Sequence, residues 1–239
     1  MWLAPSLTPQ KGGEEFVVPE ALIHEYVMAK ETASKLSYLR NELKRDYLFD
    51  PVARSGAVIV FVGDKTDLPA IAASIASDFK ALYFNEEIKA VEKSVWWKDV
   101  KVVVSWIGEE MELKPRQSAV EVWKGEIGRM GKRVEEYGGQ GDQESSEIND
   151  EVDELFRAST LRIIVAKTES FGRGIDCLDC HTVYNYDLPG SASEYVHRGG
   201  RAGRMGRRGR VVSVVGGEKE LFVVEKLGRQ VGKVITKKL

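Results

Sequence analysis

Cysteine is scarce in this chain. The 239 residues hold two, Cys177 and Cys180, spaced C-x-x-C with His181 beside the second. A structural zinc site takes four ligands and no second pair is present, so the pattern points to reduced thiols of an intracellular chain rather than to a metal or redox centre. No run of 18 apolar residues occurs, which leaves nothing to span a membrane as a helix. The first residues lack the charged and apolar regions of a secretion signal and the arginines of a transit peptide. This reading selects no compartment among cytoplasm, nucleus, nucleolus and organelle. A net excess of positive charge is also missing: 35 basic residues against 37 acidic ones give −2, so no global field advertises a polyanion partner.

The distribution of charge says more than its sum. Between Glu135 and Glu154 nine acidic residues occur without a Lys or Arg, whereas Arg198 to Arg210 holds six arginines and no acid. A polyanion is expected to meet the second stretch and avoid the first. With 43% hydrophobic residues, the chain can bury one sizeable core.

Residues 1–18 are polar and rich in Pro and Gly and read as a flexible arm, leaving 19–239 as one domain. Residues 23–28 suggest a short edge strand. Over 31–47, Leu36, Leu39 and Leu43, with Leu48 beyond, recur at helical spacing. The run 57–62, AVIVFV, has the continuous apolar character of a strand buried on both faces. Thr66 is read as the cap of a helix, with Asp67 in its first turn and Ile71, Ala72, Ile75, Ala76 and Phe79 facing inward. Strands at 100–106, 161–166, 182–186 and 210–215 alternate with helices at 113–127, 191–198 and 218–227. That rhythm predicts an α/β fold with a doubly wound, mostly parallel sheet flanked by helices. Two insertions interrupt it. Residues 86–97 are polar around Trp96 and Trp97. Residues 128–157 carry Gly138, Gly139 and Gly141 and then the acidic run, a composition expected to stay disordered.

Three segments follow apolar strands or accompany the helices after them. They are TESFGRGID at 168–176, VYNYDLP at 183–189 and HRGGRAGR at 197–204. Ligands of open α/β sheets sit beyond the carboxyl ends of the strands, so all three are expected on one edge. In the last, Arg198, Arg201 and Arg204 recur every three residues, close to the spacing of one helix face, among Gly199, Gly200 and Gly203, which allow close approach of a phosphate. Planar guanidinium groups grip phosphate oxygens bidentately and keep their charge. The bland reading of such a run is a solvated basic face.

These segments resemble the second, C-terminal RecA-like domain of DEAD-box ATP-dependent RNA helicases of superfamily 2. The similarity covers most of 23–227. HRGGRAGR meets every fixed position of motif VI, HRxGRxGR. TESFGRGID is similar to motif V, TDxxxRGxD, with Glu169 in place of Asp. VYNYDLP resembles VINYDxP, residues 59–64 resemble motif IV, and Arg116 matches the arginine of a weaker QxxR segment.

The resemblance implies a RecA-like fold and roles residue by residue. Arg201 and Arg204 would contact the γ-phosphate of ATP, with Arg204 the first choice for the finger. Asp176 would meet the nucleotide ribose, and His197 would link the ATP side to the RNA side. Thr168, Gly174 and Arg116 would lie along the RNA backbone, with Arg173 anchoring motif V. The plainer alternatives are Thr168 as a helix cap, Asp176 as a partner of Arg173, and His197 as a satisfied buried histidine.

G-x-x-x-x-G-K-[ST], D-E-A-D and S-A-T are absent from this sequence. ATP with Mg2+ is therefore expected to be held mainly by a first RecA-like domain, in cis or in trans, and the chain alone is not expected to hydrolyse it. The other partners implied are RNA and proteins of ribonucleoprotein or ribosome assembly, with no membrane. The alternative function is a non-catalytic RNA- or protein-binding module of a larger assembly.

Overall fold

The computed structural model describes residues 16, 18–50, 53, 56–79, 82–84, 101–109, 111–126, 157, 160–171, 175 and 179–238. Both expected insertions, apart from Arg157, lie outside them, as do nearly all of the N-terminal arm and Cys177.

The strands are β1 (Leu22–Met28), β2 (Ala57–Phe61), β3 (Leu82–Phe84), β4 (Val102–Ile107), β5 (Leu161–Ala166), β6 (Cys180–Asn185), β7 (Gly209–Val215) and β8 (Thr236–Lys237). They form one sheet in the order β3-β4-β5-β2-β6-β7-β1-β8, and every pairing is parallel. The expectation of a mostly parallel sheet is met throughout the described residues. The apolar runs of β2, β5 and β6 are buried at every position, as strands covered on both faces must be.

Two assignments at the sheet's margins change. β1 is not an edge strand, because β8 pairs with its Glu25 and Tyr26. β3, on the opposite edge, was not expected. Both missed strands are two or three residues long, too short to show a period.

The helices are α1 (Lys35–Phe49), α2 (Leu68–Phe79), α3 (Leu113–Lys124), α4 (Ala192–Gly199) and α5 (Glu218–Gln230). Leu39 and Leu43 of α1 and Ile71, Ala72 and Ile75 of α2 pack on one face of the sheet. Leu48, expected on the same stripe, is exposed near the end of α1. On the other face, Ala119, Val122 and Trp123 of α3, Tyr195 of α4 and Leu227 of α5 enclose the second core. The cap of α2 is Asp67, not Thr66. The Asp67 carboxylate accepts from the Ala70 amide at 3.0 Å, while the Thr66 hydroxyl turns to Asp187.

Several polar groups are fixed inside. The Trp123 indole donates to the Val58 carbonyl at 3.0 Å, tying α3 to β2. Arg162, fully buried in β5, pairs with Asp179 and donates to the Trp123 carbonyl at 3.2 Å. The Tyr184 hydroxyl donates to Asp46 at 2.6 Å, and Lys238 and Arg210 close on the same carboxylate at 2.8 and 3.1 Å. Burial alone would raise the Asp46 pKa, but these cations and the phenol hold it below the ordinary carboxylate range.

His24 and His181 are buried in the neutral form. Burial is the main cause, helped by Lys233 for His24 and by Arg210 for His181, and each is held down to about 4. A histidine with a depressed folded pKa contributes fully above its unfolded value of about 6.5 and loses that contribution as pH falls toward 4. The unfolding free energy should therefore be level above about pH 7 and decline between about 6.5 and 4, by up to about 3 kcal/mol for each histidine. Urea titrations of the wild type and of a His24→Gln/His181→Gln double variant test this. An unchanged slope in the double variant excludes these two groups as its origin.

Candidate nucleotide and RNA interface

Because all strands run in parallel, their carboxyl ends form one rim. Residues 62–66 follow β2, 167–171 follow β5, 186–189 follow β6, and 216–217 follow β7. The segment taken as motif IV, the described residues 168–171 of motif V and the NYD segment thus share that rim.

The hub of the rim is Arg198, which is 3% exposed in the last turn of α4. Its Nε donates to the Thr168 hydroxyl at 2.8 Å, and one Nη donates to Glu194 at 2.6 Å. The other Nη reaches the Asn185 side chain at 3.2 Å and the Asp187 carbonyl at 2.7 Å. Its guanidinium carbon also lies 5.2 Å from the centre of the Phe61 ring. Burial lowers its pKa, while Glu194 and Asp187 act the other way, and a guanidinium in such company keeps its charge.

Glu194 completes the arrangement. It accepts from the Thr168 hydroxyl at 2.8 Å and from the Gly190 amide at 2.8 Å. Burial by itself would raise its pKa, but the Thr168 hydroxyl, the Arg198 charge and the Gly190 amide hold it low and keep it ionised. Thr168 is therefore no helix cap. Its proton goes to Glu194 and its oxygen receives Arg198. Arg116, in the first turn of α3, donates to the Ser170 carbonyl and so joins its helix to the same turn.

Motif VI departs from the one-edge expectation. α4 begins at the rim and runs back across the sheet face, ending at Gly199. Gly203 then donates its amide to the Cys180 carbonyl at 3.1 Å, at the start of β6. Arg201 and Arg204 thus follow a helix end and approach the amino-terminal side of the sheet. They do not share a helix face with Arg198. The turn explains the glycine: Gly203 has φ +64°, and a Cβ there would come within 2.9 Å of Leu22 Cδ2.

Arg201 still reaches motif V. It is 8% exposed and donates to the carbonyls of Ile175 at 3.1 Å and Phe171 at 3.3 Å, with the Phe171 ring 5.5 Å below its guanidinium. The same guanidinium donates to His197 Nε2 at 2.5 Å. His197 is exposed, so the buried-histidine alternative does not hold. Arg204 is half-exposed in a short 3-10 turn and donates to the Gly200 carbonyl at 3.1 Å. Asp176, Arg173 and Gly174 lie outside the described residues. Among those residues no group of three or more His, Cys, Asp or Glu side chains could hold a metal, and no helix is long and apolar enough to cross a membrane.

The sequence profile of the helicase conserved C-terminal domain matches residues 120–206. ATP-dependent RNA helicase SUB2 of Scheffersomyces stipitis is 43% identical over 72 residues, which is 30% of this chain and 16% of that protein. ATP-dependent RNA helicase dbp8 of Aspergillus fumigatus is 46% identical over 78 residues, 31% of this chain and 15% of that protein. Among solved structures, S. cerevisiae Dbp5 L327V bound to RNA and ADP BeF3 superposes with a TM-score of 0.61 at 17% identity, covering 93% of this chain and 42% of that one. The E. coli DEAD-box protein SrmB, solved with the regulator of ribonuclease activity RraA, gives 0.57 at 21% identity, covering 91% of both chains. Residues 120–206 thus match the helicase conserved C-terminal domain, and the chain shares the RecA-like fold of these DEAD-box structures. It aligns with less than a fifth of the length of those curated relatives.

Glu194, Asn185 and Asp187 of this rim were not picked out from the sequence as site residues. Asp187 was visible inside NYD. Glu194 gave a weaker signal, an acid four positions before an arginine on a helix.

Glu194→Ala removes the carboxylate from a buried arginine and leaves a hydroxyl and an amide without their acceptor. A loss of about 2–3 kcal/mol of unfolding free energy is expected, set below the full figure for a buried pair because Glu194 is partly exposed. Glu194→Gln keeps one acceptor oxygen and should cost about 1 kcal/mol. Equal costs for the two variants in chemical denaturation would show that the charge is unimportant.

Proposed function

We propose that this chain supplies the C-terminal half of an ATP-dependent RNA helicase, contributing an arginine finger and RNA-backbone contacts to ATP-driven unwinding or ribonucleoprotein remodelling. The observation that carries this reading is the direct joining of motif VI to motif V: Arg198 bonds to Thr168, and Arg201 bonds to the carbonyls of Phe171 and Ile175. An element that senses nucleotide is thereby wired to an element that holds RNA.

In this reading a first RecA-like domain, in cis or in trans, binds ATP and Mg2+ through its phosphate loop and acidic motif. The metal and the loop supply most of the charge stabilisation. This chain adds Arg204 at the γ-phosphate, where charge develops during transfer. Arg204 is the more exposed of the two arginines, and Arg201 is committed to the motif V loop, so Arg201 both joins the γ-phosphate contact and fixes the loop. Asp176 is assigned to the ribose, His197 to the link between the two sides, and Arg173 to anchoring motif V.

Thr168, Gly174 and Arg116 are assigned to the RNA sugar-phosphate backbone. Contacts of that kind position a strand without reading its bases, so weak sequence preference follows. The burial of Arg201 under carbonyl bonds would equally serve a module without ATP chemistry, so the second reading is a binding module of a larger assembly.

Arg204→Ala separates the two readings. In the chain joined to a first RecA-like domain, RNA-stimulated ATP hydrolysis should fall by about 10³-fold or more while RNA affinity stays within about twofold. An unchanged hydrolysis rate removes the finger assignment. The isolated chain should bind single-stranded RNA with an affinity that declines as salt rises, and Arg116→Ala should lower the slope of log K against log salt by about 0.7. Salt-insensitive binding contradicts the backbone contacts.

A further inference from the structure

Lys35 stands at the start of α1, 2% exposed, beside the rim but outside every motif. Its ammonium donates to both oxygens of Glu220 at 3.1 and 3.3 Å and lies 3.8 Å from Asp187 Oδ1 and 5.2 Å from the centre of the Tyr186 ring. Each carboxylate it faces is committed to a strand end. Asp187 Oδ2 accepts from the Gly63 amide at 2.8 Å and the Thr66 hydroxyl at 2.6 Å, shaping the loop after β2. Glu220 Oε2 accepts from the Gly216 amide at 2.8 Å, after β7.

The site is sterically prepared for the lysine. A Cβ on Gly216 would lie 3.0 Å from Lys35 Cδ and 2.9 Å from Thr32 Cα, so only glycine leaves room for the stem. Burial, with the fields of Asp187 and Glu220, also pushes the Tyr186 phenol up.

Two carboxylates at the strand ends pose a problem for a surface that meets phosphates. The side chains of Asp187 and Glu220 are each about one-third exposed, at 32% and 30%. Without a counter-charge they would repel a polyanion passing over the Gly63–Thr66 loop. A buried cation between them answers this and keeps the acceptor oxygens that the loop needs. We propose that Lys35 is a positioning residue for RNA, neutralising Asp187 and Glu220 so that these carboxylates can hold the rim loops without opposing the backbone phosphates. This assignment rests on the RNA-binding reading above.

The electrostatic role makes opposite predictions for the two partners. Binding of a fluorescein-labelled single-stranded oligouridylate to the full chain at low salt should weaken about three- to tenfold in Lys35→Met and tighten about twofold in Glu220→Gln. The double variant Lys35→Met/Glu220→Gln should return to within about twofold of wild type, and the differences should shrink as salt is raised. A purely structural clamp would weaken binding in both single variants and would not be rescued by combining them; that result overturns the assignment. Wild-type affinity in Lys35→Met overturns it as well. If the wild-type chain fails to bind the oligonucleotide while folded, the RNA reading falls and takes this assignment with it. Normal wild-type binding with Lys35→Met and Glu220→Gln indistinguishable from it defeats the assignment alone.

Discussion

A cation taken out of water must find its solvation inside the protein, and the buried Arg198 guanidinium imposes that requirement on everything around it. Its planar fork needs acceptors in several directions. They come from four places in the sequence: the Thr168 hydroxyl after β5, the Asn185 side chain at the end of β6, the Asp187 carbonyl just beyond, and Glu194 one turn earlier on α4. Satisfying one charge therefore fixes the relative positions of two strand ends and a helix. Thr168 is held because it is part of that shell. Moving it would leave a buried donor unpaired, a larger penalty than the worth of any single hydrogen bond.

Asp187 extends the constraint sideways. Its carbonyl serves Arg198, while its carboxylate serves Gly63, Thr66 and Lys35. Motif VI, the loop after β2 and the first helix thus meet at one residue. On the far side Arg116 ties α3 to the turn at Ser170. The rim is cross-linked by side chains in addition to the sheet ladder, which is the kind of support that holds ligand-contacting groups in place before a ligand arrives.

The sheet was legible from the sequence wherever strands were long and apolar on both faces. The runs at 57–62, 161–166 and 210–215 could be read because burial on both sides leaves no polar alternation to confuse them. β3 and β8 were invisible, since so few residues carry no period and their pairing is set by neighbours. Asp67 and Thr66 were interchanged because both are good caps, and the choice between them was made by Asp187, which lies over a hundred residues away. For the site, the motif residues were legible as chemistry but not as geometry. A spacing of three suggested one helix face for Arg198, Arg201 and Arg204, yet Gly199 closes the helix and Gly203 turns the chain back toward β6. Charge partners such as Lys35 and Glu220 are separated by 185 positions, and no local pattern could pair them.

The residues of α4 and those past its end consequently differ in how they are held. Ser191 caps the first turn of the helix, and Glu194 in that turn and Arg198 in the last are tied to the rim by bonds among buried or half-buried groups. Past its end, Met205 holds a left-handed backbone with φ 56°, its side chain is exposed, and Arg207 and Arg208 beside it are exposed as well. A non-glycine residue in that conformation costs about 1 kcal/mol or more and stores strain in the turn that carries Arg204. Arg204 thus sits on an exposed turn outside the buried network that fixes Arg198, with its Nε on the Gly200 carbonyl. Arg201, at the boundary between the rigid and the exposed parts, bonds to both His197 on the helix and the carbonyls of motif V.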